Sequence, residues 1–384
     1  MNDKKLAAAS LAAQAMGWVD PVTRAVVPPI HMASTYVRDE DNAYRSGRIY
    51  ARADNPTFDQ AEATLAALEG GPKALIFSSG MSAATACFLA LAPGDHVVAP
   101  KVMYWALRNW LATFATDWGL KVEFVDADRT DALAAAVRPG ATRLVWIETP
   151  ANPTWCVTDI AAAADIAHRA GALLAVDSTV ATPVLTRPIE HGADIVMHSA
   201  TKYLNGHSDI IAGALVGARD DAWWARLRTL RAQLGTILGQ TEAWLLMRGM
   251  RTLYPRVAWA CRSAEALAER FAAHPMVNEV LYPGLPGFAG YAVASRQMAG
   301  GFGGMLSVRV KGGERAAIAT AARVALWKRA TSLGGVESLI EHRASIEGPG
   351  TPCPPDLLRL SVGVEDAGDL FDDLDQALRR AHNA

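Results

Sequence analysis

The sequence predicts an α/β protein with a mostly parallel sheet covered by helices, followed by a smaller α+β domain. Two observations lead to this prediction. From about residue 59 to 220, short apolar runs alternate with helical stretches, and continuous apolar runs are typical of parallel strands buried on both faces. The chain also has 384 residues, of which 51% are hydrophobic, so it can bury one large core and a second, smaller one.

Residues 1–58 are predicted to form an N-terminal arm. Its alanine-rich start looks faintly like a signal peptide. The apolar part is short and interrupted by Ser10 and Gln14, so we predict a helix of the mature protein instead. Residues 20–58 are rich in proline, glycine and charge and have no helical period, which indicates an extended segment.

The large domain is predicted over residues 59–245 and the small domain over residues 246–384. Segments 131–137 and 161–169 are predicted helices, because alanine has the highest helix propensity. A helical stretch from about Gln240 to Ala272 connects the domains. Seven strands are predicted for the large domain and two for the small one: Ala74–Phe77, His96–Ala99, Lys121–Val125, Leu144–Glu148, Leu173–Asp177, Ile195–His198 and Gly213–Val216, then Met305–Val310 and Leu357–Val362.

The composition argues against several classes of protein. Basic and acidic residues number 37 and 39, a net charge of −2, so no basic surface indicates binding to nucleic acid or to an anionic membrane. No apolar run reaches the ~18 residues of a membrane span. The four cysteines have neither the spacing of a metal site nor that of a disulfide framework, which predicts no metal and reduced thiols in the cytoplasm: Cys87, Cys156, Cys261 and Cys353.

The most informative segment is the turn His198–Asp209, directly after an apolar strand. Lys202 lies there among small hydroxyl residues and glycine, where its amine can condense with an aldehyde cofactor while Ser199 and Thr201 hold a phosphate. These are the requirements of pyridoxal 5'-phosphate (PLP), whose ring withdraws electrons from a carbanion. For a lysine on its own, a solvated side chain in a surface turn is the alternative.

Two further segments suit the same cofactor. Asp177 ends the apolar run Gly171–Asp177, at the end of a strand where ligands of open α/β sheets bind. Its carboxylate either pairs with the pyridine nitrogen or merely begins the next loop. The turn Ser78–Ala83 stands between a strand and a helix, and such a turn either presents N–H groups to a phosphate or simply caps the helix.

Two arginines indicate anion binding. Arg52 follows Tyr50 by two residues, so in an extended segment both project to the same side and suit the clamping of a phosphate. Arg359 lies inside an apolar strand, where a charge is costly unless it meets an anion such as a substrate carboxylate. An arginine on an edge strand with its head in water is the alternative.

These residues, in this order, resemble the Cys/Met-metabolism family of PLP-dependent enzymes, the group of cystathionine γ-synthase, cystathionine γ-lyase and methionine γ-lyase. The resemblance spans nearly the whole chain and implies the PLP-dependent transferase fold of the aspartate aminotransferase type. It depends on the joint order of nine segments: Tyr50–Thr57, Ser79–Met81, Glu148–Pro153, Val176–Asp177, Ser199–Tyr203, Gly206–Asp209, Arg248–Leu253, Ser332–Ser338 and Arg359–Gly363.

The resemblance implies a role for each cofactor-binding residue. Lys202 would bind the cofactor covalently and later move protons, and Asp177 would pair with the ring nitrogen. Tyr104 would stack on the ring and act as an acid or base. The phosphate would be bound by four residues of two turns: Gly80, Met81, Ser199 and Thr201.

Other implied roles concern the substrate and a second subunit. Arg359 would hold the substrate carboxylate, with help from Asn152, which also contacts the cofactor hydroxyl, and from the backbone at Ser332. Tyr50 and Arg52 would reach the phosphate of the neighbouring subunit. The resemblance therefore implies a homo-oligomer with shared active sites, built as a dimer of dimers.

The implied activity is α,γ-elimination of a sulfur-containing or related γ-substituted L-amino acid, giving a 2-oxo acid and ammonia. Leu333 stands where the β-lyase type carries tryptophan, and Thr331 stands where cystathionine-handling γ-enzymes carry glutamate. The pocket is thus more similar to those of methionine γ-lyases and sulfhydrylases. γ-Replacement, as in an O-acyl-homoserine sulfhydrylase or a cystathionine γ-synthase, and β-lyase activity on cystathionine stay open.

One position departs from the pattern of the family. After Tyr104 the family usually has glycine, whereas this chain has Trp105. The indole either packs as an ordinary core residue or reshapes the substrate pocket for an unusual γ-substituent, such as a planar or guanidine-like group.

Two other classes of protein are not favoured. A dinucleotide-binding dehydrogenase would share the alternating strands and helices, but no G-x-G-x-x-G follows the early strands. A non-catalytic scaffold protein of this family would lack one or more catalytic residues. This sequence has all of them, so that class is not favoured.

Overall fold

The structure, a computed structural model, describes residues 6–52, 54–348 and 350–382. Two sheets organise these residues, one of seven strands in the large domain and one of five in the small domain. The predicted α/β class, with a mostly parallel seven-stranded sheet and a smaller C-terminal domain, is confirmed.

The N-terminal segment contains little regular structure. It has helix α1 (Ala8–Ala13) and a 3-10 turn (Ala15–Gly17). Among the described residues from 18 to 55, none belongs to a helix or a strand, apart from one bridge between Thr35 and Tyr50. The predicted alanine-rich helix is present as α1, and the first five residues of the predicted segment lie outside the described part of the chain.

All seven strands predicted for the large domain are found, with small shifts at their ends. They are β1 (Lys73–Phe77), β2 (His96–Pro100), β3 (Lys121–Val125), β4 (Thr142–Glu148), β5 (Leu173–Asp177), β6 (Ile195–His198) and β7 (Gly213–Gly217). Their order in the sheet is β1-β7-β6-β5-β4-β2-β3. The pairs β2–β3, β2–β4, β4–β5 and β5–β6 are parallel. Strand β7 runs antiparallel to both β1 and β6.

Helices cover both faces of this sheet. They are α2 (Pro56–Glu69), α3 (Gly80–Leu89), α4 (Trp105–Trp110), α5 (Thr116–Trp118), α6 (Thr130–Ala136), α7 (Ile160–Arg169), α8 (Thr182–Leu185) and α9 (Ala222–Leu234), with a π-turn at Leu111–Ala115 and a 3-10 turn at Pro188–His191. Neighbouring residues of β4 point to opposite sides: Trp146 packs with α3 and α9, while Val145 and Ile147 pack with α6 and α7. This two-sided burial explains the continuous apolar runs.

Two helices connect the domains. The predicted helical stretch from Gln240 to Ala272 is divided into α10 (Gln240–Met250) and α11 (Leu253–Ala272). Thr252, with φ −111° and ψ 13°, leaves the helical conformation between them. No helix in the described ranges is both long and apolar enough to cross a membrane.

The small domain contains a five-stranded sheet. Its elements are β8 (Val277–Leu281), α12 (Tyr291–Gln297), β9 (Met305–Val310), α13 (Gly313–Ala321), β10 (Lys328–Arg329), β11 (Leu339–His342), α14 (Ala344–Glu347), β12 (Leu357–Ser361) and α15 (Ala367–His382). The strand order is β10-β11-β12-β9-β8, so β12 is central. Arg359 of β12 pairs with Glu341 of β11 and with Ser307 of β9, which rules out the edge-strand alternative for this arginine.

Candidate active site

A cavity of about 340 Å³ lies where the carboxyl ends of β4, β5 and β6 face the small domain. This is the edge of a parallel sheet where ligands bind in open α/β folds. The structure brings nearly all of the predicted site residues to its wall: Gly80, Met81, Tyr104, Trp105, Asn152, Asp177, Ser199, Thr201, Lys202, Ser332 and Arg359. Tyr50 and Arg52 do not line it.

Lys202 projects into the cavity from the turn after β6. Its Nζ donates a hydrogen bond to Ser332 Oγ at 2.9 Å, which joins the large domain to the small one. Burial lowers the pKa of Lys202 to about 8, and the positive charges of Arg359 and Arg343 add to this effect. The side chain is therefore not a solvated surface lysine, and its amine is partly neutral near neutral pH.

Two carboxylates lie side by side at the ends of β4 and β5. Glu148 and Asp177 are cross-strand neighbours, and both are buried. Burial, followed by the charge of Asp177, raises the pKa of Glu148 to about 8. Burial also raises the pKa of Asp177, although Thr179 opposes this by donating to Oδ1 from its hydroxyl at 2.6 Å and from its N–H at 3.0 Å.

This pair of carboxylates fits a cationic ring nitrogen. In the described part of the chain, no lysine, arginine or histidine forms an ion pair with Glu148 or Asp177. Buried charge without a partner is costly. A protonated pyridine nitrogen beside Asp177 would supply the missing positive charge, so the residues present fit PLP at this position.

The start of α3 forms the other end of the site. Ser79 caps the helix by accepting a hydrogen bond from the N–H of Ser82 at 3.0 Å. The first N–H groups of α3, like those of any helix, have no intrahelical partners. A Cβ at Gly80 would lie 2.8 Å from the Cβ and Oγ of Ser199, so the helix start packs directly on the lysine turn. Such a close-packed helix N-terminus suits a phosphate.

The two hydroxyl residues of the lysine turn differ. The hydroxyl of Thr201 is already engaged, because it donates to the carbonyl of Ala212 at 3.1 Å and accepts from the N–H of Ala212 at 3.0 Å. The backbone of Ser199 is held by Thr179, whose hydroxyl accepts a hydrogen bond from the Ser199 N–H at 2.8 Å. Thr201 therefore also fixes the turn to the start of β7.

Arg359 is the cationic group on the small-domain side. It is 4% exposed, and its guanidinium donates to Asn152 Oδ1 at 3.2 Å and to the carbonyl of Ser332 at 2.9 Å. Nη2 also lies 2.6 Å from Glu341 Oε2 on the neighbouring strand. Burial lowers the pKa of Arg359 to about 10, which keeps the group cationic at neutral pH. A buried cationic guanidinium suits a carboxylate, and the role of Arg359 in holding the substrate stays a prediction.

Tyr104 and Trp105 form one wall of the cavity. The Tyr104 N–H donates to Glu148 Oε2 at 2.7 Å, which ties the tyrosine to the carboxylate pair. Burial raises the pKa of the Tyr104 phenol, while the charge of Arg343 lowers it. Trp105 is half-buried and lines the cavity, with its ring centroid 6.4 Å from that of Tyr104. Trp105 therefore lines the cavity and is only partly buried, unlike a core tryptophan such as Trp146.

Tyr50 and Arg52 lie together on the outside of the chain. The Arg52 guanidinium carbon is 5.8 Å from the centre of the Tyr50 ring, and both side chains are exposed. They do not reach the cavity of their own chain. Their role in a neighbouring subunit stays a prediction.

The sequence reasoning assigned no role to three charged residues of the site. Glu148 could have been recognised, because it ends a predicted strand in the same way as Asp177. Glu341 and Arg343 belong to β11 and the turn after it, and that strand was not predicted. Its second half, Glu341 and His342, is polar, so the strand has no continuous apolar run.

Comparison with known proteins identifies the family of this chain. The profile of the family described as "Cys/Met metabolism PLP-dependent enzyme" matches residues 9–379. A cystathionine γ-synthase of Mycobacterium tuberculosis is 46% identical over 366 residues, covering 94% of this chain and 93% of that protein. An L-methionine γ-lyase of Pseudomonas deceptionensis is 42% identical, covering 92% and 93%.

Solved structures give the same result. The crystal structure of cystathionine γ-synthase from Xanthomonas oryzae pv. oryzae, in complex with aminoacrylate and cysteine, superposes with a TM-score of 0.94 at 38% identity, covering 99% of this chain and all of that one. The predicted cofactor, PLP, and the predicted enzyme class are confirmed by these matches. The chain belongs to the Cys/Met metabolism family of PLP-dependent enzymes.

Proposed function

We propose that this enzyme catalyses α,γ-elimination of a sulfur-containing or related γ-substituted L-amino acid to a 2-oxo acid and ammonia. One observation carries the proposal: Ser332 contacts both Lys202 and Arg359. Its hydroxyl accepts from the Lys202 amine at 2.9 Å, and its carbonyl accepts from the Arg359 guanidinium at 2.9 Å. A substrate whose carboxylate is held by Arg359 would therefore have its Cα beside the amine.

Each residue has a distinct part in this chemistry. PLP, when bound, supplies the electron-withdrawing ring, and Asp177 keeps its nitrogen protonated. Lys202 would remove the proton at Cα, since its pKa of about 8 leaves part of the amine neutral. Lys202 would pass this proton on to the bound cofactor and then accept a proton from Cβ. The group on Cγ would leave with its bonding electrons and take a proton from Tyr104, which lines the same cavity. Addition of water then releases ammonia and the 2-oxo acid.

γ-Replacement is the second candidate, because relatives named cystathionine γ-synthase match this chain at up to 46% identity, above the 42% of a methionine γ-lyase. In that reaction a thiol would add at Cγ after the same departure of the leaving group. Leu333, which lines the cavity, supports a γ-acting pocket for either reaction, since a tryptophan there would take up more of the space.

Assembly into a dimer of dimers with shared sites is part of the proposal. It is supported by apolar side chains of the N-terminal arm that are exposed on the single chain, among them Val22 at 87%, Met32 at 70% and Val37 at 92%. Burial of these side chains against a second copy would be favourable. A cytoplasmic location is supported by the free thiols of all four cysteines.

The test is product identification with the PLP-loaded enzyme. L-Methionine, L-cystathionine and L-canavanine are supplied separately, and products are identified by mass spectrometry. Release of 2-oxobutanoate from at least one of them is expected. If only a homoserine ester with an added thiol reacts, and yields a thioether, γ-replacement is the function. A lack of product in every assay would overturn both candidates. Lys202→Ala, which removes the covalent cofactor link, is the inactive control.

A further inference from the structure

A buried pair of titratable side chains lies behind the lysine turn. Glu69 ends α2 and His198 ends β6, and both side chains are 0% exposed. His198 Nε2 lies 2.6 Å from Glu69 Oε1. Successive residues of β6 alternate between the faces of the sheet, so Met197 lines the cavity, whereas Val196 and His198 face α2. The pair therefore lies outside the cavity wall.

Stability alone does not explain this pair. In the part of the chain that the structure describes, His198 Nδ1 and Glu69 Oε2 are buried and have no hydrogen-bond partner. Buried polar atoms without partners cost free energy. Apolar residues of similar volume are often at least as stabilising as a buried polar pair. The pair therefore points to a role beyond the stability of the fold.

A chain of hydrogen bonds leads from the residue after His198 to Asp177. The N–H of Ser199 donates to the Thr179 hydroxyl at 2.8 Å, and this hydroxyl donates to Asp177 Oδ1 at 2.6 Å. A hydroxyl has a single hydrogen, and by accepting the Ser199 N–H it keeps this hydrogen pointed at the carboxylate. The position of the Ser199 backbone thus determines how well Thr179 can donate to Asp177.

Glu69 restrains the position of that backbone. Its hydrogen bond fastens His198 to α2, and Ser199 is the next residue in the chain, so the direction of the Ser199 N–H is fixed as well. Asp177 responds to these neighbours. Burial raises the pKa of its carboxyl, while the hydrogen bonds from Thr179 and the charge of His198 lower it.

Other titratable groups face the two ends of this arrangement. Glu148 lies beside Asp177 on β4, and the negative charges of the two carboxylates disfavour each other. On the other side, Tyr254 of α11 lies near Glu69: burial and the charge of Glu69 raise the pKa of its phenol, and Arg187 opposes them. Because a neighbouring carboxylate disfavours the ionised form of Asp177, this form depends on the groups that donate to it.

We propose that Glu69 and His198 are positioning residues for the cofactor site. Their hydrogen bond holds the first residue of the lysine turn, so that the Thr179 hydroxyl points at Asp177 and favours the ionised carboxylate. The ring nitrogen of PLP beside this carboxylate then retains its proton. The inference rests on the proposed function, in which Asp177 keeps the ring nitrogen protonated.

The first test observes the ring nitrogen directly. The protein is loaded with PLP that carries ¹⁵N in the ring, and solid-state NMR is recorded at neutral pH without substrate. Asp177→Asn provides the reference for a nitrogen without its carboxylate. His198→Leu should move the signal part of the way from the wild-type position toward this reference, because a less stabilised carboxylate draws the shared proton toward itself. A signal that stays within the line width of the wild type would overturn the proposal.

Matched variants separate positioning from a general loss of packing. His198→Gln should stay close to the wild type, since its amide can still donate to Glu69. Val196→Ala removes buried atoms from the same face of β6 without touching the pair. It should lower the melting temperature and leave the ¹⁵N signal in place. An equal displacement by Val196→Ala and His198→Leu, at a similar loss of melting temperature, would contradict the proposed role.

A double variant tests whether the effect passes through Thr179. Thr179→Val removes the hydroxyl and should displace the signal in the same direction as His198→Leu. The two changes together should displace it no further than Thr179→Val alone, because the chain of hydrogen bonds is then already broken. Displacements that add would overturn the proposal. If His198→Leu does not fold, Glu69→Gln takes its place, and its weaker, neutral hydrogen bond should give a smaller displacement of the same sign.

The reference variant also separates this inference from the proposed function. If Asp177→Asn leaves the ¹⁵N signal unchanged, Asp177 does not control the ring nitrogen, and both the proposed role of Asp177 and the inference fail. If Asp177→Asn displaces the signal and His198→Leu does not, the inference alone fails. Since no substrate is present, the outcome does not depend on whether the enzyme catalyses elimination or replacement.

Discussion

At the residue scale, the protonation of Lys202 follows from its surroundings. Burial disfavours the ammonium form, and two positively charged neighbours, Arg359 and Arg343, act in the same direction. The pKa falls from 10.5 to about 8. The neutral amine is the form that attacks an aldehyde and accepts a proton from Cα, so the surroundings prepare this lysine for both tasks.

The rate at which cofactor-free protein takes up PLP should therefore rise with pH through about 8 and level off above it, since only the deprotonated amine reacts. Stopped-flow absorbance in the visible range measures this rate. Arg359→Met should move the midpoint to higher pH, because loss of a neighbouring positive charge favours the ammonium form. A midpoint near the ordinary value of 10.5 in the unmodified protein would contradict the expectation.

Asp177→Asn should lower kcat at least about 100-fold, because it removes the charge that keeps the ring nitrogen protonated. Thr179→Val is the graded comparison, since it removes the hydroxyl that donates to Asp177 at 2.6 Å and helps to lower the pKa of that carboxyl. Activity requires the ionised carboxylate, so the acid limb of the pH–rate profile should move to higher pH in the valine variant. An acid limb at the same pH in both proteins would show that the Thr179 hydroxyl does not affect the pKa of Asp177.

Some site residues could be predicted from the sequence because local rules place them. Lys202 and Asp177 follow short apolar strands, and the ends of parallel strands meet at one edge of the sheet. The contact of Lys202 with Ser332, 130 residues away along the chain, has no local signal. The same holds for Arg343, which lines the cavity but directly follows β11, a strand that was not predicted.

At the element scale, two-sided burial decided which strands were found. Inner strands of the large sheet, such as β2 and β5, are covered on both faces and read as apolar runs, whereas the edge strand β3 is only partly buried and contains Lys121 and Glu123. In the small domain, β8 has two exposed residues in its middle and β10 consists of two exposed ones, so neither resembles a buried strand. The predicted helical stretch before them was one segment in sequence but two helices in the structure, because a single residue, Thr252, interrupts it.

The start of α3 gives a prediction at this scale. Gly80→Ala should weaken PLP binding about tenfold, because the added Cβ would lie 2.8 Å from Ser199 and push the helix start away from the lysine turn. Titration of cofactor-free protein with PLP measures the affinity. Gly287→Ala is the matched control, since a Cβ there meets nothing within 4 Å and the glycine does not have a positive φ. An equal affinity for both variants would exclude the proposed role of this packing contact.

At the scale of the whole molecule, two predicted site residues of the N-terminal arm lie away from the cavity. Tyr50 and Arg52 lie outside the cavity of their own chain, next to a segment with exposed apolar side chains. If they complete the site of a second copy, each site of a dimer contains Lys202 from one chain and Arg52 from the other. An isologous pair of subunits would then have two equivalent shared sites.

Shared sites predict complementation between inactive variants. In a mixed dimer of Lys202→Ala and Arg52→Ala, one site receives both intact residues and the other receives neither. Random assembly of equal amounts makes half of the dimers mixed, so about a quarter of the wild-type activity should return on co-expression. The control mixes Lys202→Ala with Asp177→Asn, two residues of one cavity, and there each site of a mixed dimer keeps one defect. Recovery in the first mixture alone would place Arg52 in the site of the second copy, whereas no recovery in either would confine the working site to a single chain.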